Sequence, residues 1–309
     1  MPGAGEHRLE PRDDAVRLAS GLTLHFRRWG PAQVAPSEGC ASAPFLLAHG
    51  LGSNARTWDG VGRALAQAGH MAVAVDLRGH GLSGKPATGY DMYSVSTDVA
   101  ELVAALELDR PIMVGQSWGA SVVLQAAIRY PRSARGVVLV DGHTVNTSDE
   151  FGTWEECWRR LRPPPSAGIP REKIKAWFQL SHPDWSDDAI EGSLGSFDVR
   201  GDRKVTPWLS LANCGQIVRA LWEERVEEDW PMVGVPVLIV PVDCSDTIQT
   251  TSKRRGAEAA VSGLRARRVP VQVTWFKGDH DIHLQHPAEL AGLLLQTCQT
   301  GIFGRCLTW

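Results

Sequence analysis

Pro111-Ile112-Met113-Val114-Gly115-Gln116-Ser117-Trp118-Gly119 is the stretch on which the fold turns. An apolar run of β type, Pro111 to Val114, passes without a linker into Gly115-Gln116-Ser117-Trp118-Gly119. The residues that follow, Ser121 to Tyr130, read as an apolar helix. A serine at the tip of so sharp a strand-to-helix turn is forced into strained backbone angles. The positions two before and two after it are crowded, and glycine stands at both. The hydroxyl is thereby presented at a helix N-terminus, where the dipole and free N–H groups favour an oxyanion. Ser117 is therefore the candidate nucleophile.

The same alternation continues on either side. Pro44 to Ala48, Met71 to Val75 and Val137 to Val140 are short runs rich in Val, Leu and Ile, bounded by Gly, Asp or His. Fully buried parallel strands read this way. Leu22 to Trp29 alternates and predicts an antiparallel start. Helices are predicted over Trp58 to Ala68 and Ser94 to Leu106; in the latter, Val99, Leu102, Val103 and Leu106 recur on one face. The alternation stops near Val145 and resumes at Val235, with strands over Val237 to Val240 and Val271 to Phe276. Helices are predicted over Thr251 to Leu264 and Pro287 to Thr297. Together these predict an α/β fold, a mostly parallel sheet with helices on both faces. The intervening segment carries Pro163-Pro164-Pro165 and seven of the twelve tryptophans, with no strand pattern. It predicts a mostly helical cap, residues 145–230, inserted after the sixth strand into a core of 1–144 and 231–309.

The chain has 309 residues, 43% hydrophobic and 22% charged, with a formal net charge of −3. Nucleic-acid binding needs a concentrated basic face, and none is expected here. Lys253-Arg254-Arg255 and Arg265 with Arg267-Arg268 read as solvated faces or turns. The six cysteines show no CxxC pair and no zinc spacing. Met1 to Asp14 lacks the apolar core of a secretory signal, and no apolar run is long enough to span a bilayer. A cytoplasmic setting is the expectation. The glycine-rich segments lack the Lys-Ser/Thr of a phosphate loop, and no GxGxxG opens a helix, so neither cofactor nor metal is expected.

In its strand–turn–helix setting the Gly-Gln-Ser-Trp-Gly turn resembles the nucleophile elbow of the α/β-hydrolase fold superfamily, in its serine-nucleophile, esterase-like branch. The resemblance implies that His49-Gly50-Leu51-Gly52 lines the oxyanion hole, with the backbone N–H groups of Leu51 and Trp118 as donors. Such donors are worth about 3–4 kcal/mol each in mutated enzymes. Asp76-Leu77-Arg78-Gly79-His80-Gly81-Leu82-Ser83 resembles the family's D-x-R-G-x-G-x-S signature; it is given a structural role, and His80 no catalytic one. The family order is Ser, acid, His. His280 stands seven residues before Pro287, as the family's base does before its proline. His283 is the second choice, and His286 is expected to cap the last helix. Asp279 stands where the family commonly has glycine. For the acid, Asp246 is preferred over Asp243 in Pro241-Val242-Asp243-Cys244-Ser245-Asp246. Asp141, at the end of the Val137 run, is a third option, otherwise a strand-end carboxylate. The acid would fix the tautomer of His280 and stabilise its imidazolium.

Serine rather than aspartate at the elbow sets aside epoxide opening and halide displacement, and suits an acyl-enzyme that water resolves. The leading expectation is a carboxylic-ester hydrolase acting on a small molecule with an apolar or aromatic acyl group. Tryptophans of the insertion would line the acyl pocket or pack its own core. A C–C bond hydrolase of a diketone-like acid would need a cationic group in the pocket. A ligand-binding, receptor-like member of the fold is the alternative from another class. Trp118 after the serine resembles proline-releasing aminopeptidases, but those usually have His-Gly-Gly-Pro where this chain has His49-Gly50-Leu51-Gly52.

Overall fold

The computed structural model describes residues 9–30, 43–199, 201–244, 246–299 and 301–303. Cys40, Cys306, Ser245 and the polar residues 1–8 lie outside them. The first described elements are an antiparallel hairpin, β1 (Arg12–Arg17) and β2 (Thr23–Trp29). Then come β3 (Phe45–Ala48), β4 (Ala72–Val75), β5 (Ile112–Gln116) and β6 (Gly136–Val140). The insertion carries a small hairpin, β7 (Phe197–Val199) and β8 (Val205–Pro207). After it lie β9 (Val237–Val240), β10 (Val242–Asp243), β11 (Val271–Val273) and β12 (Phe276–Lys277).

Eight of these form one sheet in the order β1-β2-β4-β3-β5-β6-β9-β11. β2 runs antiparallel to β1 and β4, and every later pairing is parallel. β1, with the sequence RDDAVR, is an edge strand whose exposed charges discourage further pairing. The expected strand Val271 to Phe276 divides: β11 pairs with β9, while β12 leaves the sheet to pair with β10.

The first helices are α1 (Asp59–Gln67), α2 (Met92–Ala105) and α3 (Trp118–Arg129). The insertion holds α4 (Thr147–Phe151), α5 (Trp154–Leu161), α6 (Arg171–Ser181), α7 (Asp187–Leu194), α8 (Leu211–Glu223) and α9 (Val226–Asp229). α10 (Thr247–Ala266), α11 (Ile282–Gln285) and α12 (Pro287–Gln299) close the chain. Successive residues of each parallel strand enter opposite cores, which explains the unbroken apolar runs. Leu46, Val73, Met113, Leu139 and Ile239 pack with Val99 of α2, Val122 of α3 and Leu264 of α10. Leu47, Ala74, Val114, Val138 and Leu238 pack with Leu65 of α1 and Leu290 of α12. Each fully buried Val, Leu, Ile or Met side chain among them contributes about 1.5–3 kcal/mol.

The insertion has two parts. α5 and α8 join the α2–α3 core through Cys157, Cys214, Ile217 and Val218, with Trp154, Trp158 and Trp222 packed against it. Trp185, Ile190, Leu194 and Val205 form a separate small core that also takes in Leu284 of α11. At the neck, Asn146 Oδ1 accepts from the Val226 amide at 2.9 Å, and Asn146 Nδ2 donates to Glu227 at 2.9 Å. Among the described residues no helix is long and apolar enough to cross a membrane.

Candidate active site

β5 ends at Gln116 and α3 begins at Trp118, which leaves Ser117 at the turn with φ 53° and ψ −121°. A non-glycine residue is uncommon there and must be held. The Ser117 amide donates to the Val140 carbonyl of β6 at 2.9 Å, and the Ala120 amide donates to the Ser117 carbonyl at 2.9 Å. A Cβ at Gly115 would strike the Gly119 carbonyl, and one at Gly119 the carbonyls of Ala48 and His49. The elbow thus needs both glycines for close approach.

The loop after β3 lies alongside. A Cβ at Gly50 would sit 3.2 Å from Ser117 Cβ. His49 Nδ1 donates to the Gly50 carbonyl at 2.8 Å, and its Nε2 accepts from the Leu77 amide at 3.1 Å. His80 Nε2 accepts from the Gly52 amide at 3.1 Å, and burial pushes this imidazole down to about 3, so it stays a neutral acceptor. His80 therefore braces the loop. Its signature neighbours do likewise. Asp76 accepts from the Ala55 and Leu82 amides and pairs with His25, while Arg78 grips Asp98 and the Gly89 carbonyl. Among the described residues, the amides of Leu51 and Trp118 donate to no backbone carbonyl.

The carboxylate that meets His280 is Asp141, not Asp246 or Asp243. His280 Nδ1 lies 2.7 Å from Asp141 Oδ2. Asp141 leaves β6 with a φ of 45°, which turns its side chain beneath the histidine loop, where it is 1% exposed. Its Oδ1 accepts from the Val242 amide at 2.9 Å. Asp246 instead caps α10: its Oδ1 accepts from the amides of Ile248 and Gln249 at 2.8 and 3.1 Å. Aspartate is among the residues most favoured at a helix N-cap, and its place just before the helical run is the sequence signal for that role. Asp243 sits on β10, its Oδ1 accepting from the Thr250 hydroxyl.

Burial alone would raise the Asp141 carboxyl, but the His280 hydrogen bond and charge, with Lys253, hold it below the usual carboxylate range. For His280, loss of water alone would lower the imidazole, and Asp141 more than offsets this, so the ring lies above its ordinary value. Lys253, expected on a solvated face, instead points inward, its ammonium 2.7 Å from Asp141 Oδ1. Arg254 beside it covers the Trp275 ring at 5.0 Å.

Two further residues, Gln116 and Asp279, to which the motifs gave no role, set the position of His280. Gln116 Nε2 donates to the His280 carbonyl at 3.0 Å, tying the histidine loop to the elbow. Among the described residues no hydrogen bond joins Ser117 Oγ directly to His280. On the other side Asp279 Oδ2 accepts from Trp185 Nε1 at 3.0 Å and contacts His182 at 3.2 Å, joining the loop to the insertion. His283 is buried against Trp58, its ring pushed down to about 3 by burial. His286 precedes α12, its carbonyl accepting from the Leu290 amide.

One polar cluster could be read as a metal site: ligand atoms of His143, Glu224 and Asp229 lie within 4.8 Å of one another. The carboxylates, however, flank the ring from opposite sides, Glu224 at 3.4 Å from Nδ1 and Asp229 at 3.1 Å from Nε2. The second contact is an ion pair rather than an aligned hydrogen bond. Burial opposes the charge, yet the two carboxylates raise the imidazole to about 9, so the cluster is an imidazolium between two anions. Ser121 and Gln125 of α3 complete it, donating to Glu224 and Asp229.

Residues 45–293 match the profile of the Alpha/beta hydrolase family. The chain belongs to that family. It is 29% identical over 250 residues to a 2-(acetamidomethylene)succinate hydrolase of Mesorhizobium japonicum, a match covering 81% of this chain and 83% of the relative. A non-heme chloroperoxidase of Streptomyces lividans is 32% identical over 151 residues, 44% of this chain and 52% of the relative. Among solved structures, E-2-(acetamidomethylene)succinate hydrolase superposes with a TM-score of 0.72 at 24% identity, covering 93% of this chain and 98% of that one. A thioesterase domain from the curacin biosynthetic pathway gives 0.70 at 17% identity, covering 93% and 99%. At these identities the structural likeness speaks for the fold.

Proposed function

We propose that this family member is a serine hydrolase that cleaves a carboxylic ester or related carbonyl compound through an acyl-enzyme on Ser117. His280 acts as general base and then as general acid, and Asp141 orients it. The observation that carries this reading is the 2.7 Å His280–Asp141 pair on a loop tied to the elbow by Gln116. The hydrogen bond to Nδ1 leaves Nε2 as the basic nitrogen, the tautomer that a serine hydroxyl requires. The amides of Leu51 and Trp118 stabilise the tetrahedral oxyanion. Residues 145–230 act as a lid over the core of 1–144 and 231–309, and the substrate is a small molecule with an apolar or aromatic acyl group.

Because the base works deprotonated and Asp141 raises its pKa, kcat/KM rises with pH through a midpoint above the ordinary imidazole value. Fluorophosphonate labelling and p-nitrophenyl ester turnover test the proposal together. Wild type labels and turns over, whereas Ser117→Ala loses labelling and falls by about 10⁴-fold or more. A variant with unchanged turnover, or a wild type that does not label, sinks the reading and leaves a ligand-binding role.

The Mesorhizobium relative favours a second reading, hydrolysis of the amide of an acidic substrate, because its own substrate name carries an acetamido group and a succinate. That reading needs a cation free to meet a carboxylate. The Lys253 ammonium beside His280 is already engaged by Asp141. Turnover of an acidic amide exceeding that of neutral esters would select it.

A further inference from the structure

Lys253 stands on the second turn of α10, the helix that Asp246 caps, and reaches back across the end of β9 to the end of β6. Its ammonium has three acceptors for three hydrogens: Asp141 Oδ1 at 2.7 Å, Asp141 Oδ2 at 2.8 Å and the Val242 carbonyl at 3.3 Å. The side chain is only 18% exposed, against 1% for Asp141, so the contact is sheltered from solvent screening. Asp141 Oδ2 therefore receives the His280 ring and the ammonium at once.

We propose that Lys253 is a positioning residue for the base: it locks the Asp141 carboxylate in the orientation that receives His280 and offsets part of its negative charge. This inference rests on the assignment of His280 as general base. A sheltered carboxylate alone would over-stabilise the imidazolium and keep the base protonated at neutral pH. A second positive charge on the same carboxylate opposes that and returns a neutral imidazole sooner. The other charges facing the pair do not replace it. Asp281, beside His280, pushes the ring in the same direction as Asp141. Glu150 of α4, its carboxyl raised above the ordinary value by burial, accepts from Gln249. Asp279 is engaged by Trp185 and His182, and Asp243 faces Thr250. Among the described residues, Lys253 is the one lysine or arginine in contact with Asp141.

The test is an NMR titration of the His280 ring in the full chain, assigned with His280→Gln, alongside the pH profile of kcat/KM. In Lys253→Met the His280 midpoint moves up by about one pH unit. The acidic limb follows it, about tenfold slower at a fixed pH on that limb, while the alkaline plateau stays within about threefold. Lys253→Arg keeps the wild-type midpoint. An unmoved midpoint in Lys253→Met, or an even loss across the whole profile with no shift, overturns the proposal. If the midpoint moves but Ser117 takes no fluorophosphonate label, the hydrolase reading fails and the coupling of Lys253 to the pair stands.

Discussion

β6 and β9 are neighbours in the sheet, and each is followed within a few residues by acidic side chains, yet the two strand ends use them differently. At β6 the backbone reverses at once, with Asp141 and His143 both at positive φ (45° and 59°). This puts one side chain against the histidine loop and the other against the end of the insertion. Beyond β9 the chain stays extended through β10 before α10 begins, so Asp243 remains at a strand edge and Asp246 is spent on a helix cap. The contrast teaches that strand-end backbone geometry, more than proximity in sequence, decides which carboxylate reaches His280.

Substitutions can break or sharpen this contrast. The largest effect is expected from Asp141→Asn, which keeps the shape but removes the charge that fixes the His280 tautomer; kcat falls by about 10³–10⁴-fold, read with a p-nitrophenyl ester. If Asp243→Asn or Asp246→Ala produced that loss instead, the roles of the two strand ends would be reversed.

The next effect concerns stability at the other product of the β6 turn. The His143 imidazole is raised to about 9 by Glu224 and Asp229 against the opposing effect of burial. A raised imidazole contributes stability that is fully present below its unfolded value near 6.5 and is lost as pH climbs toward 9. Thermal unfolding should therefore fall by several degrees between those limits. His143→Gln lowers the melting temperature at pH 6 and flattens that slope; an unchanged slope would show that the imidazolium is not the titrating group. The smallest effect is expected at β9, where Asp246→Ala loses the α10 cap at about 1 kcal/mol, measured by denaturant unfolding, with kcat within about threefold of wild type.

Much of the scaffold was legible because period and punctuation agree. Fully buried strands read as short apolar runs, and Gly115 and Gly119 announce the elbow through their spacing. The distance from His280 to Pro287 singled out the histidine that meets Asp141. β1 was hidden because an edge strand of mixed charges has no apolar face to betray it, and β7 and β8 because three residues cannot show a period. The carboxylate partner of His280 was not legible, for a different reason. A carboxylate after a strand looks the same in sequence whether it faces a base, a helix start or solvent, and the positive φ that selects Asp141 leaves no local composition signal. Lys253 and Gln116 act across 112 and 164 residues of sequence, beyond the reach of any pattern within one element.

Asn146 has a consequence for the whole insertion. With its amide bonded to Val226 and Glu227, the excursion leaves and rejoins the sheet at one stitched point, 80 residues apart in sequence. Loop-closure entropy grows only logarithmically with length, and here the closure is made by the insertion's own neck. To the sheet, that excursion behaves as a short turn. Length can change where the excursion faces away from the sheet, but not along α5 and α8, whose Cys157, Cys214, Ile217 and Val218 belong to the core under the strands.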